Sequence, residues 1–328
     1  MKLINKQDSI FVAGHTGMVG NSIKNILIKN GYSNLYLPTR QELDLLDYES
    51  VKCWFQKNNP QVVILAAAKV GGIDANSKYP GDFILENLKI QTNVIDNSWK
   101  NNVKRFLFLG SSCIYPKFAP QPIKEEYLLS GDLEITNELY AIAKIAGLKL
   151  CSALTKQYSF DTISLMPANL YGPGDNYNLQ NSHVLPAFIN KFYNAKIKGE
   201  KQVRCWGSGQ PKREFLHVDD LANASLFLLE NFSFIQNKNF KNESSLILNV
   251  GTGKDITIKD LAILVADKIG YKGEILWDTS KPDGTPRKLL DISRINHLGW
   301  KPFISLEDGI EQTIKFYIED LKKKKLRN

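Results

Sequence analysis

Ser9-Ile10-Phe11-Val12-Ala13-Gly14-His15-Thr16-Gly17-Met18-Val19-Gly20 decides how this chain folds. Its first five residues are a short β-rich run that ends in a loop with glycines at a GxxGxxG spacing. A helical pattern follows, with Val19, Ile23, Ile26 and Leu27 on one face. Strand, glycine loop, helix is the context that a dinucleotide-binding fingerprint requires. The glycines permit a tight turn and let the backbone approach a pyrophosphate. That approach lies at a helix N-terminus, where free N–H groups and the helix dipole favour anions. The spacing differs from GxGxxG, so a plain glycine-rich turn stands as the alternative for the loop taken alone.

The alternation of strand and helix continues outward from this loop. Leu35-Tyr36-Leu37 reads as a second strand, Val62-Val63-Ile64-Leu65-Ala66 as a candidate fourth, and Phe106-Leu107-Phe108-Leu109 as another. Apolar runs of this length, buried on both faces, predict a parallel sheet with helices on each side. The expected fold class is therefore α/β, a doubly wound parallel sheet of Rossmann type with a smaller C-terminal α/β part. The expected division is 1–167 for the nucleotide-binding unit, with 214–250 returning to it. Residues 168–213 and 251–320 would form the substrate-binding part, and 321–328 a basic tail. The second strand ends Pro38-Thr39-Arg40-Gln41, and an arginine where NAD enzymes carry an acid favours NADP, a surface arginine being the alternative.

Composition sets broad limits. The chain has 328 residues, 43% of them hydrophobic and 23% charged, ordinary for a globular protein. No apolar run is long enough to span a bilayer. The N-terminus lacks the apolar stretch of a signal peptide, so a cytoplasmic location without membrane partners is expected. Of the net charge of +8, five charges sit in Lys322-Lys323-Lys324-Lys325-Leu326-Arg327, leaving +3 for the rest. A solvated terminus accounts for that run, and no nucleic-acid partner is expected. Cys53, Cys113, Cys151 and Cys205 show no metal-ligand spacing and read as reduced thiols.

Chemistry enters with Tyr140-Ala-Ile-Ala-Lys144, about thirty residues after Gly110-Ser111-Ser112-Cys113-Ile114-Tyr115. Positions i and i+4 share a helix face, so the Lys144 ammonium is expected beside the Tyr140 phenol, where a cation favours the phenolate. A tyrosine tuned in this way exchanges a proton with a carbonyl oxygen, and Ser111 is placed to give that oxygen a second hydrogen bond. An ordinary amphipathic pair is the alternative for Tyr140 and Lys144 alone. Asp219 reads as the N-cap of a helix over Leu221–Leu229. Trp206 reads equally as a turn-packing aromatic or a ligand contact, and the segment from Lys281 to Lys288 reads as a loop.

Taken in order, the glycine loop, Ser111 and the Tyr140/Lys144 pair resemble the extended short-chain dehydrogenase/reductases. Longer stretches are similar to the GDP-L-fucose synthase family: Ala66-Ala67-Ala68-Lys69-Val70-Gly71-Gly72-Ile73, Ser111-Ser112-Cys113-Ile114-Tyr115-Pro116, Asn169-Leu170-Tyr171-Gly172-Pro173 and Asn181-Ser182-His183-Val184. Trp206-Gly207-Ser208-Gly209, Arg213 to Asp220 and Lys281 to Lys288 extend the similarity to about residue 300. The resemblance implies conversion of GDP-4-dehydro-6-deoxy-D-mannose to GDP-L-fucose, by inversion at C3 and C5 and reduction of the C4 ketone with NADPH. It implies Ser111, Tyr140 and Lys144 as the reductase triad, and Cys113 and His183 as epimerising base and acid. It implies NADP(H) contacts at Gly14, His15, Thr16, Gly17, Met18, Val19 and Gly20. Further such contacts fall at Arg40, Leu109, Gly110, Ser111, Ser112, Lys144, Pro167, Ala168, Asn169, Leu170 and His183. Substrate contacts are implied at Lys191, Trp206, Arg213 and Asp283, and a homodimer is the expected assembly. Thr16 stands where some members of the family carry an arginine, which leaves one cation fewer near the 2′-phosphate. Another nucleotide-sugar epimerase or reductase, or a non-catalytic NADPH-binding sensor, are the rival functions.

Overall fold

The structure is a computed structural model, and it describes residues 2–179, 182–236, 246–281 and 283–326. Asn181, Pro282, Arg327 and residues 237–245 of the stretch expected to return to the nucleotide-binding unit lie outside the described residues.

Strand β1 (Ile10–Ala13) leads through the glycine loop into α1 (Met18–Lys29), and β2 (Leu35–Tyr36) precedes α2 (Tyr48–Asn58). Strand β3 (Val62–Leu65) is followed by the short α3 (Ile73–Lys78) and the long α4 (Pro80–Lys100). Then come β4 (Arg105–Leu109), α5 (Glu138–Tyr158), β5 (Thr162–Pro167) and β6 (Asn169–Tyr171). The second half contains α6 (Val184–Lys198), β7 (Gln202–Trp206), β8 (Lys212–His217), α7 (Val218–Asn231) and β9 (Ile247–Val250). It ends with β10 (Asp255–Thr257), α8 (Ile258–Ile269), β11 (Glu274–Asp278), β12 (Arg287–Lys288), α9 (Ser293–His297) and α10 (Leu306–Lys322). Val62–Leu65 is thus the third strand of the chain, not the fourth, because no strand intervenes between Tyr36 and Val62.

The main sheet runs β2-β1-β3-β4-β5-β9 with every pairing parallel. β1, β3, β4, β5 and β9 are fully buried, as strands covered on both faces must be. Helices α2, α4 and α5 form one covering layer, and α1 packs with α7 in the other. The doubly wound fold class read from the sequence is therefore observed. After β1 the chain steps to β2 on one side, then to β3 on the other. The crevice opened at that reversal lies at the strands' carboxyl ends, where such sheets bind ligands. The glycine loop, Leu109-Gly110-Ser111 and Pro167-Ala168 all stand at those ends.

A smaller sheet forms around β8, with β10 antiparallel on one side and β12 and β6 parallel on the other. β7 and β11 pair as a separate parallel ribbon. These elements share a second apolar core with α6, α8 and α10, built on residues such as Phe188, Phe192, Phe215, Leu261 and Tyr317.

Two buried side chains join the parts. Asn249, at the end of β9, accepts from the Tyr115 hydroxyl at 2.6 Å, and its amide donates to the carbonyls of Ile123 at 2.9 Å and Asp291 at 3.1 Å. The Glu214 carboxylate accepts from the backbone N–H groups of Thr252, Gly253 and Leu290 at 2.6, 2.7 and 2.8 Å. Burial pushes its pKa up, and those three donors act in the opposite direction.

Asp219 does not cap α7. The cap is His217, whose Nδ1 accepts from the Asp219 N–H at 3.3 Å, and the Asp219 carboxylate instead accepts from the Ser22 hydroxyl on α1. The helix begins three residues earlier than the apolar run at Leu221 suggested, so Asp219 falls in its first turn.

Replacing Asn249 with Leu keeps the volume and strands a buried phenol and two carbonyls. Urea unfolding is expected to show a loss of roughly 3–9 kcal/mol, because each of the three buried polar groups left without a partner costs about 1–3 kcal/mol. A midpoint equal to that of the unmodified protein would contradict the joining role given to Asn249.

Candidate active site at the carboxyl ends of the main sheet

The glycine loop is shaped for close approach to a ligand. Gly14 has φ +86°, and a Cβ there would stand 2.7 Å from the backbone nitrogen of Ala67. A Cβ on Gly20 would collide with the Gly14 carbonyl, so the loop folds tightly onto the first turn of α1. That turn has no acidic residue and no side-chain cap at Gly17, which leaves its N–H groups directed at the crevice. The buried Nδ1 of His15 has no hydrogen-bond partner among the described residues. These are the features that a pyrophosphate would satisfy. Arg40 is exposed on the loop after β2, where Glu42 accepts from Thr39 N at 2.7 Å and fixes the turn. Glu42 also acts on the titration of His15, so this loop lies against the glycine loop.

Ser111 lies just past the end of β4 and caps the 3-10 turn Ser112–Ile114, its Oγ accepting from the Cys113 N–H at 3.2 Å. Tyr140 and Lys144 rise from the first turns of α5, and the Ser111 hydroxyl is near enough to the Tyr140 phenol to favour its ionised form. The Lys144 ammonium is buried and donates to the Leu109 carbonyl at 2.9 Å. Its nitrogen lies 6.0 Å from the Tyr140 ring centroid and 5.1 Å from that of Phe108.

The electrostatics differ from the sequence expectation. Burial pushes the Tyr140 phenol well above the ordinary tyrosine value, the nearby Cys113 adds to this, and the Ser111 hydroxyl opposes it. Burial lowers Lys144 to about 8. Burial rather than the lysine charge thus dominates the phenol. The lysine is directed at the end of β4, and desolvation outweighs the i,i+4 pairing.

Cys113 is half-buried beside Tyr140, and its sulfur receives Asn137 Nδ2 at 3.3 Å and Lys288 Nζ at 3.8 Å. His183 immediately precedes α6 and makes no capping hydrogen bond. Its surface is open to the cleft, but protein crowding around the ring lowers its pKa, and the charge of Lys288 lowers it further. Burial also lowers the pKa of Arg213, while Cys113, Glu134 and Asp283 act to raise it. Those four groups therefore stand close enough to interact.

A second cluster lies beyond Arg213. Trp206 is 58% exposed, which excludes packing as its main role, and carries Lys191 Nζ at 5.7 Å and Lys281 Nζ at 5.5 Å from its ring centroid. Asp283 accepts from Ser208 N at 2.7 Å and from Ser208 Oγ at 2.8 Å. Both its oxygens thus hold the Trp206–Ser208 turn against the following loop.

Sequence reading missed Asn137, Glu134 and Lys288. Asn137 sits directly before α5, where an asparagine reads as an ordinary cap, yet its side chain turns to the cysteine. Glu134 accepts from Thr285 Oγ1 at 3.3 Å and pairs with Lys117 at 3.0 Å, contacts that no local pattern encodes. Lys288 stands in a matching stretch but carries no mark that sets it apart from neighbouring cations.

Comparison with known proteins identifies the lineage. Residues 10–251 match the NAD dependent epimerase/dehydratase family. GDP-L-fucose synthase 1 of Arabidopsis thaliana is 53% identical over 317 residues, which cover 97% of this chain and 95% of that protein. The crystal structure of a GDP-6-OMe-4-keto-L-xylo-heptose reductase from C. jejuni superposes with a TM-score of 0.92 at 38% identity, over 97% of this chain and 99% of that one. A GDP-L-fucose synthetase from Naegleria fowleri, solved bound to NADP, superposes with a TM-score of 0.86 at 26% identity, over 99% and 98% of the two chains. With a family match across most of its length and a relative more than half identical, the chain belongs to the NAD dependent epimerase/dehydratase family and, within it, to the GDP-L-fucose synthases.

Proposed function

We propose that this chain converts GDP-4-dehydro-6-deoxy-D-mannose to GDP-L-fucose, inverting C3 and C5 and then reducing the C4 ketone with NADPH. The observation that carries this reading is the meeting of two kinds of proton-handling group. Ser111 and Tyr140, close enough to interact, stand beside a thiol, Cys113, that receives two donors. His183 faces the same cleft and shares the influence of Lys288. A simple reductase needs the first kind of group only.

C3 and C5 both flank the C4 carbonyl, so loss of either proton gives an enolate whose charge rests on O4. In the proposed reaction Ser111 and Tyr140 hold that oxygen as preorganised donors. Cys113 takes the proton from one face of the ring and His183 delivers one to the other. NADPH supplies the hydride for C4. Burial keeps the Tyr140 phenol protonated, which suits it to donate to O4 as reduction proceeds. The buried Lys144 charge, one helical turn away, stabilises the phenolate that this donation leaves. The uncapped N-terminus of α1 takes the pyrophosphate and the exposed Arg40 the 2′-phosphate. The neighbouring NADP-bound synthetase supports that choice of cofactor. Arg213 pairs with the substrate diphosphate, and Trp206 with Lys191 receives the nucleoside end.

We place the enzyme in the cytoplasm, where a base such as Cys113 stays reduced; all four cysteines are free. We also propose a homodimer, formed through α4 and α5, which expose Leu85 and Ile142.

Replacing Cys113 with Ser substitutes a hydroxyl, which gives up its proton far less readily. Solvent deuterium entry at C3 and C5, followed by NMR, is expected to slow by about 10²–10⁴, the usual contribution of a positioned base. The ketone should still be reduced slowly, to a 6-deoxy sugar of unaltered C3 and C5 configuration. Exchange at the rate of the unmodified enzyme would remove the thiol from the base role.

Lys144 gives the reduction step a pH limit. Its ammonium is present below about 8 and is lost as pH rises through that value. The kcat for reduction should therefore fall toward a slope of about tenfold per pH unit above it. Unfolding would not explain that fall. The unfolded chain holds this proton to higher pH, so between the folded and the ordinary lysine value the Lys144 contribution to stability rises with pH. A kcat flat through pH 9 in a stopped-flow profile would contradict the role assigned to this charge.

A further inference from the structure

Two inversions at one site pose a problem of proton bookkeeping that the proposed base and acid do not solve alone. The first inversion leaves Cys113 as a thiol and His183 as a neutral imidazole. The second carbon flanks the same carbonyl and faces the same two groups, so it needs the thiolate and the imidazolium again. Between the two events the sulfur must lose a proton and the imidazole must gain one.

Resting on that assignment of base and acid, we infer that Lys288 is a further catalytic residue, which resets the pair by passing a proton from Cys113 to His183. Its Nζ lies 3.8 Å from the Cys113 sulfur, within hydrogen-bonding reach for that atom. The Lys288 charge also lowers the pKa of His183, so the ammonium is near enough to act on both carriers, and its field makes the imidazolium short-lived once formed. Its backbone is anchored on both sides. Lys288 pairs with Arg213 in the β12–β8 register, and Thr285 is bonded to Glu134 before it. After it, Leu289 N donates to Gln121 Oε1 at 2.8 Å and Leu290 N to Glu214 Oε2 at 2.8 Å. A fixed backbone and a flexible four-carbon stem let one ammonium serve two neighbours.

The transfer balances. Lys288 gives an N–H proton to the imidazole and takes the thiol proton in its place. The lysine starts and ends as an ammonium, the sulfur ends as a thiolate and the imidazole as an imidazolium. No other reactant is required.

The test is a single turnover with enzyme in excess over GDP-4-dehydro-6-deoxy-D-mannose and with NADPH present, the sugar products being resolved by NMR. Lys288→Met is expected to carry out the first inversion but to slow the second by roughly a hundredfold, at the low end of what a positioned proton carrier contributes. Singly inverted 6-deoxy sugar should then accumulate where the unmodified enzyme yields the doubly inverted product. Lys288→Arg keeps the charge but holds its proton too tightly to relay it, and is expected to give the same accumulation. Full double inversion by Lys288→Arg would overturn the relay and leave only a role for charge. A raised KM with an unchanged product ratio in Lys288→Met would overturn it in favour of an anchor for the diphosphate. If Cys113→Ser leaves exchange intact, the underlying base assignment fails. If Cys113→Ser loses exchange while Lys288→Met gives the usual product ratio, only the relay fails.

Discussion

The hydrogen bond from the buried Lys144 ammonium to the Leu109 carbonyl ties the site together. It fastens α5 to the end of β4, and Ser111, Cys113 and Tyr140 lie within a few residues of its two ends. Ser111 and Cys113 follow Leu109 by two and four residues, and Tyr140 precedes Lys144 by one helical turn. Burying a cation is costly, and the depressed lysine pKa is the mark of that cost. The ammonium keeps one hydrogen bond in this setting, donated to the Leu109 carbonyl at the end of β4. A single desolvated side chain thus holds α5 against the end of β4 and fixes the geometry of the site.

Groups from distant parts of the chain reach this point through the small sheet. β8 is its centre, and the Glu214 carboxylate within β8 collects backbone donors from the loop after β9 and from the segment after β12. Arg213 and Lys288, neighbours in register, are thereby turned toward Cys113. Asn249 does the same for the other side, holding Tyr115 and so the turn that carries Cys113. The two cores are each apolar, but polar side chains with every oxygen assigned set their alignment. This is where specificity of arrangement matters more than net stabilisation.

What could be read from the sequence follows the range of the interaction. The glycine loop, the parallel strands and the Tyr140–Lys144 spacing are local patterns, and the sheet they imply is the one observed. Patterns also set limits that the structure exceeds. The i,i+4 spacing placed Tyr140 and Lys144 on one face, but not the direction of the lysine, which is decided by a carbonyl 35 residues away. Asp219 read as a cap because aspartate is common there. Ser22, 197 residues distant, takes its carboxylate instead. Asn137 and Lys288 gain their significance only from the sulfur between them, which folding brings to both.

If one carbonyl-binding pair serves both inversion and reduction, the two chemistries cannot be lost separately by removing it. Tyr140→Phe deletes a single hydroxyl and leaves both cofactor and substrate sites in place. The direct measurement is NMR of GDP-4-dehydro-6-deoxy-D-mannose in D₂O with this variant, alongside its rate of NADPH oxidation. Deuterium entry at C3 and C5 should fall together with reduction, each by about 10²–10³, as expected when one donor to a developing oxyanion is removed. Exchange that continues at the rate of the unmodified enzyme while reduction stops would show that the enolate is held elsewhere, and the account of a shared site would be wrong.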